Sequence, residues 1–299
     1  IPAKAIELIK KINSDVCDIE VNADNNLLIK YNRAKTKFAM STNFFEANIY
    51  TEKLPKMNII ENGVIDSIKK VTKYCSAKED IGVMHGLYFN GNGKELEIVG
   101  VDGRRFMVFK DKSCKSKMKL LVAKEQIEKI LNLAAGEVED IKCCEISTTK
   151  VLFQVGTYTI IVPTLVVDKF IDYKTIMKKH SGMSITVNPV EFRNAVERVA
   201  ITCDKNNCIV IEGKGNEIQI STTSDRGSGY ETVTAAGIET EFRRGFNALW
   251  FKDMLANFSS DIDVILGSGD KTGISVLVEN EELKQSVFIY LLPMLIRGA

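Results

Sequence analysis

An internal repeat sets the terms for this sequence. Five short segments of helical periodicity begin near Lys4, Glu61, Lys124, Pro189 and Ala248, at intervals of about 60 residues. Each carries one apolar stripe. Val64, Ile68 and Val71 fall at i, i+4 and i+7, and Ile127, Ile130, Leu131 and Ala134 follow the same rule. Phe192, Ala195, Val196 and Val199 repeat it, as do Phe251, Met254, Leu255 and Phe258. Between these helices lie strand candidates parted by turn signals. Asp18–Val21 turns through Asp24-Asn25-Asn26 into Leu27–Tyr31, and Glu95–Val99 passes Asp102-Gly103 into Phe106–Phe109. Asp263–Leu266 turns through Gly267–Asp270 into Ile274–Val278. One helix on several antiparallel strands, repeated, makes an α+β architecture. If two modules form a domain, five modules are two and a half domains. The absent module is expected at the N-terminus, because the chain opens directly on a helix, with Pro2 where a helix start tolerates it.

Composition narrows the chemistry. The formal net charge is +1, so any grip on nucleic acid has to come from local clusters of Lys and Arg. Only two histidines occur, His85 and His180, which speaks against His-dependent base chemistry or a His-rich metal site. The seven cysteines are odd in number and form no CxxC pair. Several sit in apolar runs as small hydrophobes, and a reducing cytoplasm is expected. No cofactor and no metal are expected. Two enzyme-like signals fail. Gly267–Gly273 lacks the Gly-Lys-Ser/Thr ending that opens a helix, and Gly227-Ser228-Gly229 lacks the spacing of a nucleophile elbow. A hydrolase built on scattered carboxylates such as Asp102 and Asp172 has nothing else behind it.

Four stretches carry a family resemblance. They are Val99-Gly100-Val101-Asp102-Gly103-Arg104-Arg105-Phe106, then Phe170-Ile171-Asp172-Tyr173-Lys174-Thr175-Ile176, then Phe246–Leu255, and finally Tyr290-Leu291-Leu292-Pro293-Met294. In order and separation they resemble the beta sliding clamp of bacterial DNA polymerase III. The resemblance implies a DNA-clamp fold of repeated βαβββ half-domain units, five of the usual six, with antiparallel sheets outside and helices lining the concave face. It implies domains over 1–53, 54–180 and 181–299, the first being the second half of clamp domain 1. It also implies a non-catalytic processivity factor that encircles duplex DNA without reading sequence, pairs as a homodimer in the complete protein, and recruits polymerase and clamp loader through a peptide pocket. The alternative is a truncated clamp-like adaptor that binds partner peptides without encircling DNA.

Carried over residue by residue, the pocket would be lined by Met84, Gly103, Arg105, Phe106, Ile171, Ile176, Asn247, Trp250, Ser275, Tyr290, Leu292, Pro293 and Met294. Read without the resemblance, Phe106, Ile176 and Leu292 suit an ordinary core. Arg104, Ile171, Thr175 and Trp250 depart from the family's usual residues, as does the ending Leu295–Ala299, so an altered peptide preference is expected. DNA-facing cations would be Lys10, Lys11, Lys69, Lys70, Lys73, Lys124, Arg193 and Arg198, touching phosphates only. Glu7, Glu191 and Glu197 interrupt these faces, so enclosure rather than affinity would retain the ring. The dimer interface would use Phe38 and Met40 on one side and Ile201 and Thr202 on the other. Periodicity alone makes Phe38-Ala39-Met40 a strand with both large side chains inward.

Overall fold

The computed structural model describes residues 3–14, 16–40, 56–134, 140–165, 169–178, 181–269 and 271–296. Pro2, His180, Asp270 and the ending 297–299 lie outside the described residues. Contacts cluster into two units, Ile1–Lys53 and Leu54–Ala299. The first holds helix α1 (Ala3–Ile9) and an antiparallel sheet of β1 (Asp18–Val21), β2 (Asn26–Tyr31) and β3 (Ala34–Ala39) in that order. Its small core is Ala5, Leu27 and Ile29. Phe38 and Met40 pack on it half-buried, which is the inward alternation that periodicity required.

Residues 54–299 contain four copies of strand, helix and three strands. The first is β4 (Asn58–Ile60), α2 (Ile65–Thr72), β5 (Gly86–Gly91), β6 (Leu96–Val101) and β7 (Arg105–Asp111). The second is β8 (Lys119–Ala123), α3 (Lys124–Ala134), β9 (Ile141–Ser147), β10 (Lys150–Val155) and β11 (Tyr158–Pro163). Helix α4 (Tyr173–Lys178) precedes the third copy, β12 (Gly182–Val187), α5 (Pro189–Ala200), β13 (Cys208–Lys214), β14 (Glu217–Ser224) and β15 (Gly227–Ala236). The fourth is β16 (Phe242–Asn247), α6 (Ala248–Leu255), β17 (Ile262–Gly267), β18 (Ile274–Asn280) and β19 (Gln285–Leu291). The helix expected near Glu61 opens with a 3-10 turn over Asn62–Val64, and regular α-helix begins only at Ile65. Gly63 is a poor first-turn residue, since it has the largest backbone entropy to lose.

Leading strands are exchanged between paired copies. β4 pairs with β9 and β8 with β5; likewise β12 pairs with β17 and β16 with β13. Only β12 among these leading strands also pairs with a strand of its own copy, meeting β15 at Ala235 and Ala236, so the exchanged pairings make neighbouring copies fold together. A further antiparallel pairing, β7 with β19, joins the first copy to the fourth within a twelve-strand sheet. Helices pack in twos, α2 with α3 and α5 with α6, with their apolar stripes on the sheets. Gly100 permits the close approach of α2 to β6. A Cβ there would stand 2.4 Å from the Val71 carbonyl oxygen.

Asn188 caps α5 by accepting the Val190 and Glu191 amides, and Pro189 follows at the first helical position. None of the seven cysteines is in a disulfide, and burial pushes the Cys75 and Cys143 thiols up to about 12. No helix among the described residues is long and apolar enough to cross a membrane.

Candidate functional site

The site forms where β7 meets β19. Register places Val101, Phe106, Tyr290 and Ser275 in one row across β6, β7, β19 and β18. Phe106 stacks on Tyr290 and on Phe288 at centroid distances of 5.5 and 5.6 Å. The Tyr290 hydroxyl accepts the Gly273 amide at 3.0 Å, which fixes the ring. Over this row lies the segment that ends in α4. Ile171, Ile176, Phe170 and Met177 pack on a cluster of Val99, Val101, Phe106, Val108, Tyr173 and Phe288. Phe106 is therefore both core and wall, and Ile176 stays half-buried at its margin.

A buried carboxylate holds that segment in place. Glu97 on β6 accepts the Tyr173 hydroxyl at 2.7 Å, the Asn90 side-chain amide at 3.1 Å and the Lys174 ammonium at 2.8 Å. Lys110 stands 3.4 Å away. Burial works to raise the Glu97 pKa. The hydrogen bonds from Lys174 and Tyr173, with the charges of Lys174 and Lys110, outweigh it and hold the carboxyl below its usual range. The Tyr173 hydroxyl is pushed up by burial and by Glu97. None of this network was foreseen from sequence.

Beyond Phe106 the wall opens into a cavity of about 890 Å³. Asn247, Trp250, Leu292, Pro293 and Met294 line it, five of the residues expected there. Asn247 is positioned by a capping role, its side chain accepting the Leu249 and Trp250 amides at the start of α6. Its own Nδ2 donates to the Asn206 carbonyl at 3.1 Å. The chain after β19 is strapped down at two points. The Leu292 amide donates to the Arg104 carbonyl (2.9 Å) and the Met294 amide to the Gly245 carbonyl (2.7 Å). A Cβ at Gly245 would stand 2.8 Å from the Met294 carbonyl oxygen, so the strap relies on glycine there.

Two adjacent arginines divide the work. Arg105 is buried and fully engaged. It donates to Asp102 at 3.0 Å, to Asp253 at 2.8 Å and to the Lys73 carbonyl at 3.1 Å. Its guanidinium lies 4.7 Å from the Tyr74 ring centroid and 5.7 Å from that of Trp250. It thus pins the β6–β7 turn, the end of α2 and α6 to one another, and sets Trp250 from behind. Gly103, at φ +84, makes that turn, with the Met84 sulfur 3.3 Å from where a Cβ would be. Arg104, by contrast, is exposed and lines the cavity.

The far wall was not anticipated: Asp204, Asn206, Cys208, Val210, Ser221, Thr222, Thr223 and Arg243 come from the turn before β13 and from β13, β14 and β16. Ser275 sits in the cross-strand row and is buried. Met84, Gly103, Arg105, Phe106, Ile171, Ile176, Ser275 and Tyr290 do not touch the cavity itself; they form or support the apolar wall beside it.

The expected DNA-facing residues fall on several elements. Lys69, Lys70 and Lys73 are exposed opposite the buried Ile65, Ile68 and Val71, with Lys69 3.1 Å from Asp66. Lys124 and Arg193 are half-buried. Arg198 is exposed but donates twice to Glu231, at 2.7 and 3.1 Å. Lys10 and Lys11 are exposed just after α1. Ile201, 76% exposed, and the half-buried Thr202 follow α5 beside β15. No group of His, Cys, Asp and Glu among the described residues could hold a metal ion.

Comparison with known proteins gives this geometry a context. Residues 174–291 match the family model for the DNA polymerase III beta subunit, C-terminal domain. The beta sliding clamp of Rickettsia felis is 25% identical over 222 residues, covering 69% of this chain and 58% of that protein. That of Vibrio cholerae is 23% identical over 229 residues, covering 73% and 60%. The chain therefore spans less than two thirds of these relatives. Among solved structures, the C. crescentus beta sliding clamp superposes with a TM-score of 0.86 at 19% identity, over 99% of this chain and 81% of that one. The DNA polymerase III subunit beta from Pseudomonas aeruginosa gives 0.82 at 18% identity, over 98% and 81%. The exchanged βαβββ copies thus form the sliding-clamp fold, and the sequence likeness is to the C-terminal domain of the DNA polymerase III beta subunit over residues 174–291 and to beta sliding clamps at 25% identity or less.

Proposed function

We propose that the chain is a DNA polymerase processivity factor: a non-catalytic clamp that encircles duplex DNA and recruits polymerase and clamp-loader peptides. The observation that carries this reading is the cavity at the β7–β19 joint. Its aromatic and aliphatic walls, Trp250, Leu292, Pro293 and Met294, suit leucine- or phenylalanine-like anchors, while Asn247 and the strapped backbone offer polar partners. The volume is that of a short-peptide site. The chain needs no cofactor on this reading, and its place is the cytoplasm.

Under the same reading residues 1–53, 54–180 and 181–299 are successive domains. Lys69, Lys70 and Lys73 face DNA phosphates, with Lys10, Lys11, Lys124, Arg193 and Arg198 adding to the basic surface. Arg198 contributes least, because Glu231 neutralises it. Contacts to phosphate alone carry no base code, as sliding requires. Subunits join through Phe38 and Met40 on one copy and Ile201 and Thr202 on the other. Two strand edges support that pairing. β3 is the last strand of its sheet, and β15 pairs with β12 only at Ala235 and Ala236, leaving its first part open on that side. The β7–β19 pairing is the intrachain counterpart of such a joint.

The test is retention after loading on nicked circular DNA compared with linear DNA. Slow loss from circles and fast loss from free ends is the expected result. Equal loss from both removes encirclement, even if peptides still bind.

A further inference from the structure

We infer that Arg104 is a specificity-determining residue of the cavity and selects peptides that place a carboxylate beside their apolar anchors. The inference rests on the peptide-pocket reading and adds the chemical class of the ligand. Two cations line the cavity, Arg104 and Arg243. Arg243 is taken, with Glu212 at 2.7 Å. Arg104 has no ion-pair partner among the described residues. The acid nearest in sequence, Asp102, cannot serve it. One Asp102 oxygen accepts the Arg104 and Arg105 backbone amides at 2.9 Å each, and the other accepts Arg105 Nε at 3.0 Å. The one acid lining the cavity, Asp204, makes no ion pair with Arg104 and instead accepts the Asn206 amide and side-chain NH at 2.8 and 3.2 Å.

The backbone of Arg104 is nonetheless fixed. Its amide is held by Asp102 and its carbonyl by the Leu292 amide. Only the side chain remains to be ordered, so a ligand meets an arginine on a fixed backbone rather than on a loose loop. Beside it stand Trp250, Leu292, Pro293 and Met294. Apolar walls lower the local dielectric, so a charge pair made there is stronger than one in open solvent. A guanidinium also matches a carboxylate with two parallel donors. The carboxylate can come from an Asp or Glu side chain or from a peptide C-terminus.

Trp250, the sole tryptophan of the chain, reports on binding by its fluorescence. The full chain is titrated with acetyl-Ala-Leu-Ala-Phe-Ala-amide, with the set in which aspartate replaces each alanine in turn, and with the free-acid form of the parent. At least one carboxylate peptide should bind about fivefold more tightly than the neutral parent, and the gain should shrink in high salt. In R104Q the ratio between that peptide and the parent should fall to near one, and R104K, which keeps the charge without the paired donors, should restore only part of it. Circular dichroism of each variant checks the fold. If the parent binds but no carboxylate improves it, or if the ratio survives R104Q, the assignment is wrong. If no peptide of the set binds, the pocket reading itself falls and the assignment with it. The aspartate set and the free acid separate a side-chain carboxylate from a terminal one.

Discussion

Replacing Arg105 by methionine tests whether one buried guanidinium holds the site together. Methionine keeps the apolar stem, ending about where arginine has Nε, and donates nothing. Five contacts are lost: Asp102, Asp253, the Lys73 carbonyl and the faces of Tyr74 and of Trp250. Removing one partner of a buried ion pair costs about 3–5 kcal/mol, because the other charge is stranded. Here the stranding is partial. Asp102, 15% exposed, keeps two backbone amides, and the Asp253 side chain, 37% exposed, can turn to water and counts as a surface pair. The Lys73 carbonyl loses one donor, worth about 1 kcal/mol, and the cation–π contact on Tyr74 about as much again. The expected loss for R105M is therefore about 3 kcal/mol, or more than a hundredfold in the unfolding constant. Urea unfolding followed by Trp250 fluorescence and by circular dichroism measures it, with an expected fall in midpoint of about 1 M or more. D253N should cost only about 1 kcal/mol, since it removes the most exposed of the contacts. If R105M unfolds at the wild-type midpoint, the guanidinium is a passenger and the cavity wall is held by apolar packing alone.

Three other outcomes follow from the same geometry. E97Q should destabilise residues 54–299 by about 1–3 kcal/mol at pH 7, since Lys174 and Lys110 lose their buried counter-charge. Because the folded state lowers the Glu97 pKa, its contribution is complete above the ordinary carboxylate range and fades as pH falls through the folded value. The gap between E97Q and wild type should thus narrow from pH 7 to pH 3 in urea melts; a constant gap contradicts the assignment. G100A should cost about 1–3 kcal/mol, because its Cβ meets backbone at Val71 and α2 has to move, and an unchanged melting temperature refutes this. Cys75 and Cys143, with thiols near 12, should resist iodoacetamide at pH 8 until the chain unfolds; labelling of the native protein mapped to either residue overturns their burial.

The repeat was legible because every helix stripe repeats a simple geometric demand. Val64, Ile68 and Val71 lie on one face by spacing alone, and they are buried. Strand exchange was not legible. Nothing in Asn58–Ile60 or Lys119–Ala123 states that each pairs with the other copy's sheet, because period-2 patterning fixes a face and not a partner. The apolar wall came through because Phe106, Ile171, Ile176 and Tyr290 sit in ordered motifs. The polar far wall did not. Asp204, Asn206, Thr222 and Thr223 belong to a turn and a strand whose sequence reads as ordinary surface, and they meet Trp250 only through the fold. Arg105 shares a motif with the wall residues, yet its three donors are spent inward. Sequence shows that two arginines are adjacent, and only geometry shows which one faces the cavity.

Each wall of the site belongs to a different copy of the repeat. Arg104 and Phe106 come from the first copy, the far wall apart from Arg243 from the third, and Arg243, Asn247, Trp250 and the strap from the fourth. None of the copies could form the site alone, and what brings first and fourth together is the seven-residue pairing of β7 with β19. A peptide held between them would touch both sides of that seam. By linkage it would stabilise the joined state by about 2.7 kcal/mol at a hundred times its dissociation constant. Occupancy and integrity of the joint are therefore one equilibrium seen from two ends. A substitution that opens the seam should weaken the peptide by the same factor that the peptide, in return, protects the seam.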